Sequence, residues 1–160
     1  MTYEVSQEIM DAIDDFLNRD NWHFEKFEEK GSFKTLVRLR NRMRSAEIFI
    51  HVDNDSFAVR VISPISPDEN SEDIARVNEF VTRANYGMRR GCFDMDLDTG
   101  KVIFRTSQFC GNVAPREDEI TETIYFGAIM MERYGDALLK VIYGFSTPQD
   151  AIEEVENVRR

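Results

Sequence analysis

Between Phe33 and Val61 the apolar side chains fall on alternate positions. Phe33, Thr35, Val37 and Leu39 alternate with Lys34, Leu36, Arg38 and Arg40. Ile48, Ile50 and Val52 alternate with Glu47, Phe49 and His51, and Phe57, Val59 and Val61 follow the turn Asp53-Asn54-Asp55. Successive side chains of a strand point to opposite faces, so this period buries one face of an antiparallel meander and leaves the other to water. Trp22 and Phe24, alternating with His23 and Glu25, carry the pattern back towards a turn at Gly31-Ser32.

On both sides of the meander the period changes to that of a helix. Val5, Ile9, Ala12, Ile13, Phe16 and Leu17 recur at helical spacing, with Thr2 or Ser6 as cap and Asp20-Asn21 as the end. Pro64 and Pro67 mark Ser63 to Asn70 as a loop. Asn70 or Ser71 then caps a second helix with the stripe Ile74, Val77, Asn78, Val81, Ala84, Asn85 and Met88, and Arg89 and Arg90 at its C-terminal end. Asn78 and Asn85 read as buried amides bonded to nearby backbone.

A long helix follows at about Glu117 to Tyr143, with the stripe Ile120, Ile124, Gly127, Met131, Tyr134, Leu138 and Val141. Phe126, Ile129, Met130, Leu139 and Ile142 broaden it beyond one face. Such a helix is wrapped by its own domain or covered by a partner chain. Gly144 ends it, and Thr147, Pro148 and Asp150 open a short last helix. The order α-β-β-β-α-β-β-α-α predicts an α+β fold with a mostly antiparallel sheet, in one domain over residues 1–160.

Twenty basic against thirty acidic side chains give a net charge of −10, which opposes binding to nucleic acid or to an anionic membrane surface. Acids interrupt Met1 to Leu17, so no secretory leader is read there, and no apolar run approaches membrane-spanning length. The two cysteines, Cys92 and Cys110, fit no metal spacing and are expected to be reduced thiols in the cytoplasm. No pattern calls for a cofactor.

The stretch CFDMDLDTGKVIF, Cys92 to Phe104, sets Asp94, Asp96 and Asp98 at alternate positions in the manner of a calcium loop. Counting from Asp94, however, Thr99 stands where the loop needs glycine and Arg105 where it needs a bidentate glutamate. A β-hairpin fits better. Phe93, Met95 and Leu97 would share an apolar face with Val102 and Phe104, pairing Leu97 with Val102 and Met95 with Phe104. Asp94 would then lie opposite Arg105 and Asp98 opposite Lys101.

The most distinctive charge feature lies on the strand predicted from Phe33 to Met43. Lys34, Arg38, Arg40, Arg42 and Arg44 recur at even positions with no acid among them. Arg38, Arg40, Arg42 and Arg44 are the candidate surface for a protein partner or an anion. The plainer alternative is a solvated face paired with Glu25, Glu28, Glu47 or Asp53. His23, His51, Cys92 and Cys110 have no base, acid or oxyanion donor at motif spacing, so no catalytic residue is assigned.

The segment VNEFVTRANYGMRRGCFDMDLDTGKVIFRTS, Val77 to Ser107, resembles the YbjN family of small bacterial sensory transduction regulators. The matching positions are Asn85, Gly91-Cys92-Phe93, Gly100, Val102 and Phe104. The tail LLKVIYGFSTPQDAIEEVE, Leu138 to Glu156, is similar to the family's closing pattern. The resemblance implies a fold like that of type III secretion chaperones and a non-enzymatic module that binds another protein, chaperone-like or regulatory, as a homodimer. The alternative is anion or nucleic-acid binding through the basic strand.

Overall fold

A computed structural model describes residues 4–157. Helix α1 (Gln7–Arg19) leads into strands β1 (Phe24–Phe27), β2 (Ser32–Arg38), β3 (Ser45–Val52) and β4 (Ser56–Ile62). Helix α2 (Asp73–Asn85), the hairpin β5 (Cys92–Met95) and β6 (Val102–Phe109), then helices α3 (Glu117–Ile142) and α4 (Pro148–Asn157) complete the chain. The fold is α+β as expected, with one strand more before α2 than the sequence order counted. Thr2, one of the two caps considered for α1, lies outside the described residues. Ser6 is the N-cap, its hydroxyl accepting from the Ile9 N–H at 3.2 Å.

All six strands pair antiparallel, in the order β1-β2-β3-β4-β6-β5. The register confirms the alternation. Thr35, Ile48, Val61, Phe104 and Phe93 form one continuous cross-strand row, and all five are buried. Helix α3 lies on this face against β4 and β6. At Gly127 an added Cβ would meet Val61 Cγ2 at 2.8 Å, so glycine permits the close approach of helix to sheet. Helices α2 and α4 pack on α3 and on each other, and α2 also borders β5. The broad apolar surface of α3 is therefore largely covered by its own domain, although Ile129 stays exposed. Among the described residues no helix covers the opposite sheet face, which carries Lys34, Leu36, Glu47, Phe49, Arg60 and Arg105.

Four local expectations are corrected. Asn78 is exposed, and the fully buried Phe80 takes its place on the inner side of α2. Neither Asn70 nor Ser71 is the N-cap of α2; Glu72 is, without a side-chain cap bond, because the Ser71 hydroxyl donates back to the Asp68 carbonyl at 2.7 Å. Arg89 and Arg90 lie beyond the end of α2, not in its last turn.

The hairpin register is the fourth. Met95 pairs with Val102 and Phe93 with Phe104, so the strands are offset by two residues and Leu97 is exposed. Asp96 sets this register: its carboxylate accepts from Asp98 N–H at 2.9 Å, its N–H donates to Lys101 O at 2.9 Å and its carbonyl accepts from Gly100 N–H at 2.8 Å. Gly100 has φ +79°, and an added Cβ would strike the Pro67 carbonyl at 2.7 Å. The shift by two keeps every side chain on its face, and Arg105 still reaches Asp94 diagonally at 3.2 Å.

Candidate functional site

The arginine run does not continue as a strand. β2 stops at Arg38, and residues 39–44 form the connection to β3, closed by Leu39 N–H donating to Arg44 O at 2.8 Å. Arg44 turns the chain at φ +67°. The strand ends early because α3 takes over the main-chain donors. Arg40 N–H donates to Glu132 Oε2 and Arg42 N–H to Asp136 Oδ1, each at 2.9 Å. Between them, Asn41 Nδ2 donates to the carbonyls of Met131 and Glu132 at 3.2 and 2.9 Å, while its Oδ1 accepts from Met43 N–H at 3.0 Å. Gly135 makes room, since an added Cβ would collide with Asn41 Nδ2 and lie 2.9 Å from Met43 Sδ.

This docking fixes the loop by its backbone and leaves its side chains outside. Arg38, Arg40, Arg42 and Arg44 are all exposed. Among the described residues none of the four forms an ion pair. The acids expected to neutralise them are engaged elsewhere or not paired with them: Glu28 binds Lys26 at 2.8 Å and Asp53 faces His51 at 3.5 Å. Glu132 and Asp136 bond the backbone N–H groups of the loop and, among the described residues, form no ion pair with its guanidinium groups.

Beside the loop runs a groove of about 500 Å³ whose lining includes Met43, Ile65, Leu139, Tyr143 and Phe145 together with Arg42 and Asp136. Tyr143 and Phe145 are 59% and 83% exposed. Lys140 and Glu154, also on its wall, neutralise each other at 2.9 Å. A trough with apolar side chains and the Arg42 guanidinium on its wall, its two acids already engaged by the Arg42 N–H and by Lys140, suits a segment that combines carboxylates with apolar side chains.

The other candidates separate in space and in chemistry. Two of the three aspartates of the hairpin do different work: Asp94 binds Arg105, and Asp96 holds the turn with a carboxyl kept below the usual range by the backbone N–H of Asp98. Among the described residues no three His, Cys, Asp or Glu side chains are grouped to hold a metal ion. The Cys110 thiol is pushed up by burial and by the nearby Glu119 and Asp55, the reverse of what a nucleophile needs. Cys92 has Arg105 Nη2 at 3.9 Å from its sulfur. Asn85 was legible as a backbone-binding amide. Glu132, Asp136, Asn41 and Gly135 were not, because helical acids four apart read as a solvated face until the loop is laid across them.

A family model described as "YbjN: Putative bacterial sensory transduction regulator" matches residues 10–140. A search of curated proteins found no match. Among the described residues no helix is long and apolar enough to cross a membrane. The matched span takes in the whole antiparallel sheet, α2 with Asn85, whose side-chain amide bonds both the N–H and the C=O of Phe93 on β5, and nearly all of α3, and stops short of most of the tail that the resemblance included. The chain belongs to the YbjN family.

Proposed function

We propose that this chain is a non-enzymatic regulator that acts in the cytoplasm by binding another protein, with the Arg38–Arg44 loop and the adjoining groove as its contact surface. The observation that carries the reading is the loop's construction: four exposed guanidinium groups that form no ion pair among the described residues, on a backbone pinned to α3 through Glu132, Asp136 and Asn41. Pinning lowers the ordering cost of binding, and free guanidinium groups supply charge-assisted hydrogen bonds to carboxylates. The family's regulatory description points the same way. Chaperone-like handling of a partner segment and assembly as a homodimer belong to the same proposal. Ile129, 59% exposed on α3, and the helix-free sheet face are the surfaces left for a second copy.

A second reading, in which the same arginines hold a nucleic-acid backbone or another anion, shares the loop but must overcome the net charge of −10. Crosslinking from the loop in source cells separates the two. The proposal expects a protein adduct that disappears in the R38S/R40S/R42S/R44S variant. Recovery of nucleic acid alone, or of the same proteins with the variant, overturns it. Native mass spectrometry at micromolar concentration reads the dimer, and a clean monomer removes that part.

A further inference from the structure

Strand β6 is longer than the neighbour that covers it. β5 pairs only with Val102–Arg105, whereas β6 runs on to Phe109 and pairs with β4 along its full length. Among the described residues no strand therefore pairs with the β5-side edge from Thr106 to Phe109. The direction of its main-chain groups follows from Asn85, which occupies both the N–H and the C=O of Phe93. Phe93 thus faces away from β6, and Cys92 and Asp94 face it, opposite Arg105 and Ile103. Strand alternation then turns the N–H and C=O of Ser107 and the N–H of Phe109 to the open edge, and those of Thr106 and Gln108 to β4. Among the described residues no turn or loop backbone group bonds Ser107.

A groove of about 430 Å³ runs along this edge, with walls that include Arg89, Arg90, Arg105, Ser107 and Phe126. The groove is basic. Arg90 binds Glu122 at 2.8 Å and stacks its guanidinium 5.1 Å from the Phe126 ring centroid, and Arg105 binds Asp94 at 3.2 Å. Arg89 is exposed and forms no ion pair among the described residues, and Glu122 is the one acid on the wall.

We propose that this edge is a strand-addition site for an extended acidic segment of a partner protein. The segment lies end to end with β5 and antiparallel to β6. Its main chain bonds Ser107 and the Phe109 N–H, and its carboxylates meet Arg89 and Arg90. A second copy of this chain is the poorer occupant, because pairing β6 with β6 would bring two sets of arginines to one seam. The site is separate from the Arg38–Arg44 loop and goes beyond the function proposed above.

The probe is an acetylated heptapeptide alternating glutamate with valine and threonine, with a lysine counterpart and a version N-methylated on alternate residues. In the free protein the Ser107 and Phe109 amides should exchange with solvent faster than those of Thr106 and Gln108. The acidic peptide should slow both by about tenfold or more, and the lysine and N-methylated peptides should not. Ser107→Pro removes an N–H the sheet does not use and should abolish binding. R89E/R90E, which leaves the strand intact, should weaken it by at least about tenfold. The R38S/R40S/R42S/R44S variant should bind as the wild type does. Equal protection of all four amides in the free protein, no binding, or binding indifferent to both S107P and R89E/R90E overturns the proposal. Peptide shifts confined to residues 38–44 overturn it too, while leaving the proposed function standing.

Discussion

The side-chain amide of Asn85 holds both main-chain groups of Phe93, donating to its carbonyl at 2.8 Å and accepting from its N–H at 2.7 Å. One residue at the end of α2 thus stands in for a seventh strand and closes the edge of the sheet at β5. Asn85→Ala should strand a donor and an acceptor beside a buried aromatic, at about 1–3 kcal/mol for each group left unpaired. Urea unfolding measures the loss. Asn85→Asp should rescue only the bond from Phe93 N–H, and a variant as stable as the wild type would remove the clamp from the account.

Gly135→Ala tests the docking of the basic loop. The new methyl would strike Asn41 and Met43, so the loop must lift or the helix must shift, at about 1–3 kcal/mol. Faster amide exchange at Arg40 and Arg42, whose N–H groups bond Glu132 and Asp136, should accompany the loss.

Tyr125 sets a pH dependence. Its hydroxyl donates to Asp20 Oδ2 at 2.6 Å, and burial followed by that hydrogen bond to a carboxylate pushes its pKa from 10.0 up to about 12. The folded state thus keeps a proton that the unfolded chain gives up earlier. The stabilisation is fully present below pH 10 and is lost as pH rises from about 10 to about 12. Tyr125→Phe should be less stable at neutral pH and should flatten the decline in that window, as read by urea midpoints across the range.

Cys110 should alkylate more slowly at pH 8 than a free cysteine, because burial and the carboxylates of Glu119 and Asp55 raise its thiol. Thiol counting against iodoacetamide measures it, and rapid reaction would reopen a nucleophilic role.

The sheet was legible because period two leaves no choice of face: a slip by one residue at Phe33, Ile48 or Val61 would bury charge. The ends of strands were not. Arg38 to Met43 continues the alternation on paper, but Glu132 and Asp136, more than ninety residues away, capture the Arg40 and Arg42 N–H groups and end β2. The hairpin register was missed for a similar reason. Face matching allows offsets of two, and the choice rests on Asp96 in the turn and on the Pro67 carbonyl pressed against Gly100. The arginines were visible as a cluster, but their freedom from ion pairs depends on where Glu28 and Asp53 find partners.

The most direct test of the central claim is a fluorescence-anisotropy titration of a labelled peptide carrying aspartate and leucine and N-methylated on alternate residues, so that it cannot add to β6, at several salt concentrations, with the wild type and with R38S/R40S/R42S/R44S. None of the four arginines forms an ion pair within the described fold, so the variant should keep its stability to within about 0.5 kcal/mol. The wild type should bind the peptide with an affinity that falls as salt rises, and the variant should lose both the binding and the salt dependence. Equal binding by the two proteins, or no binding by the wild type at low salt, would contradict the account.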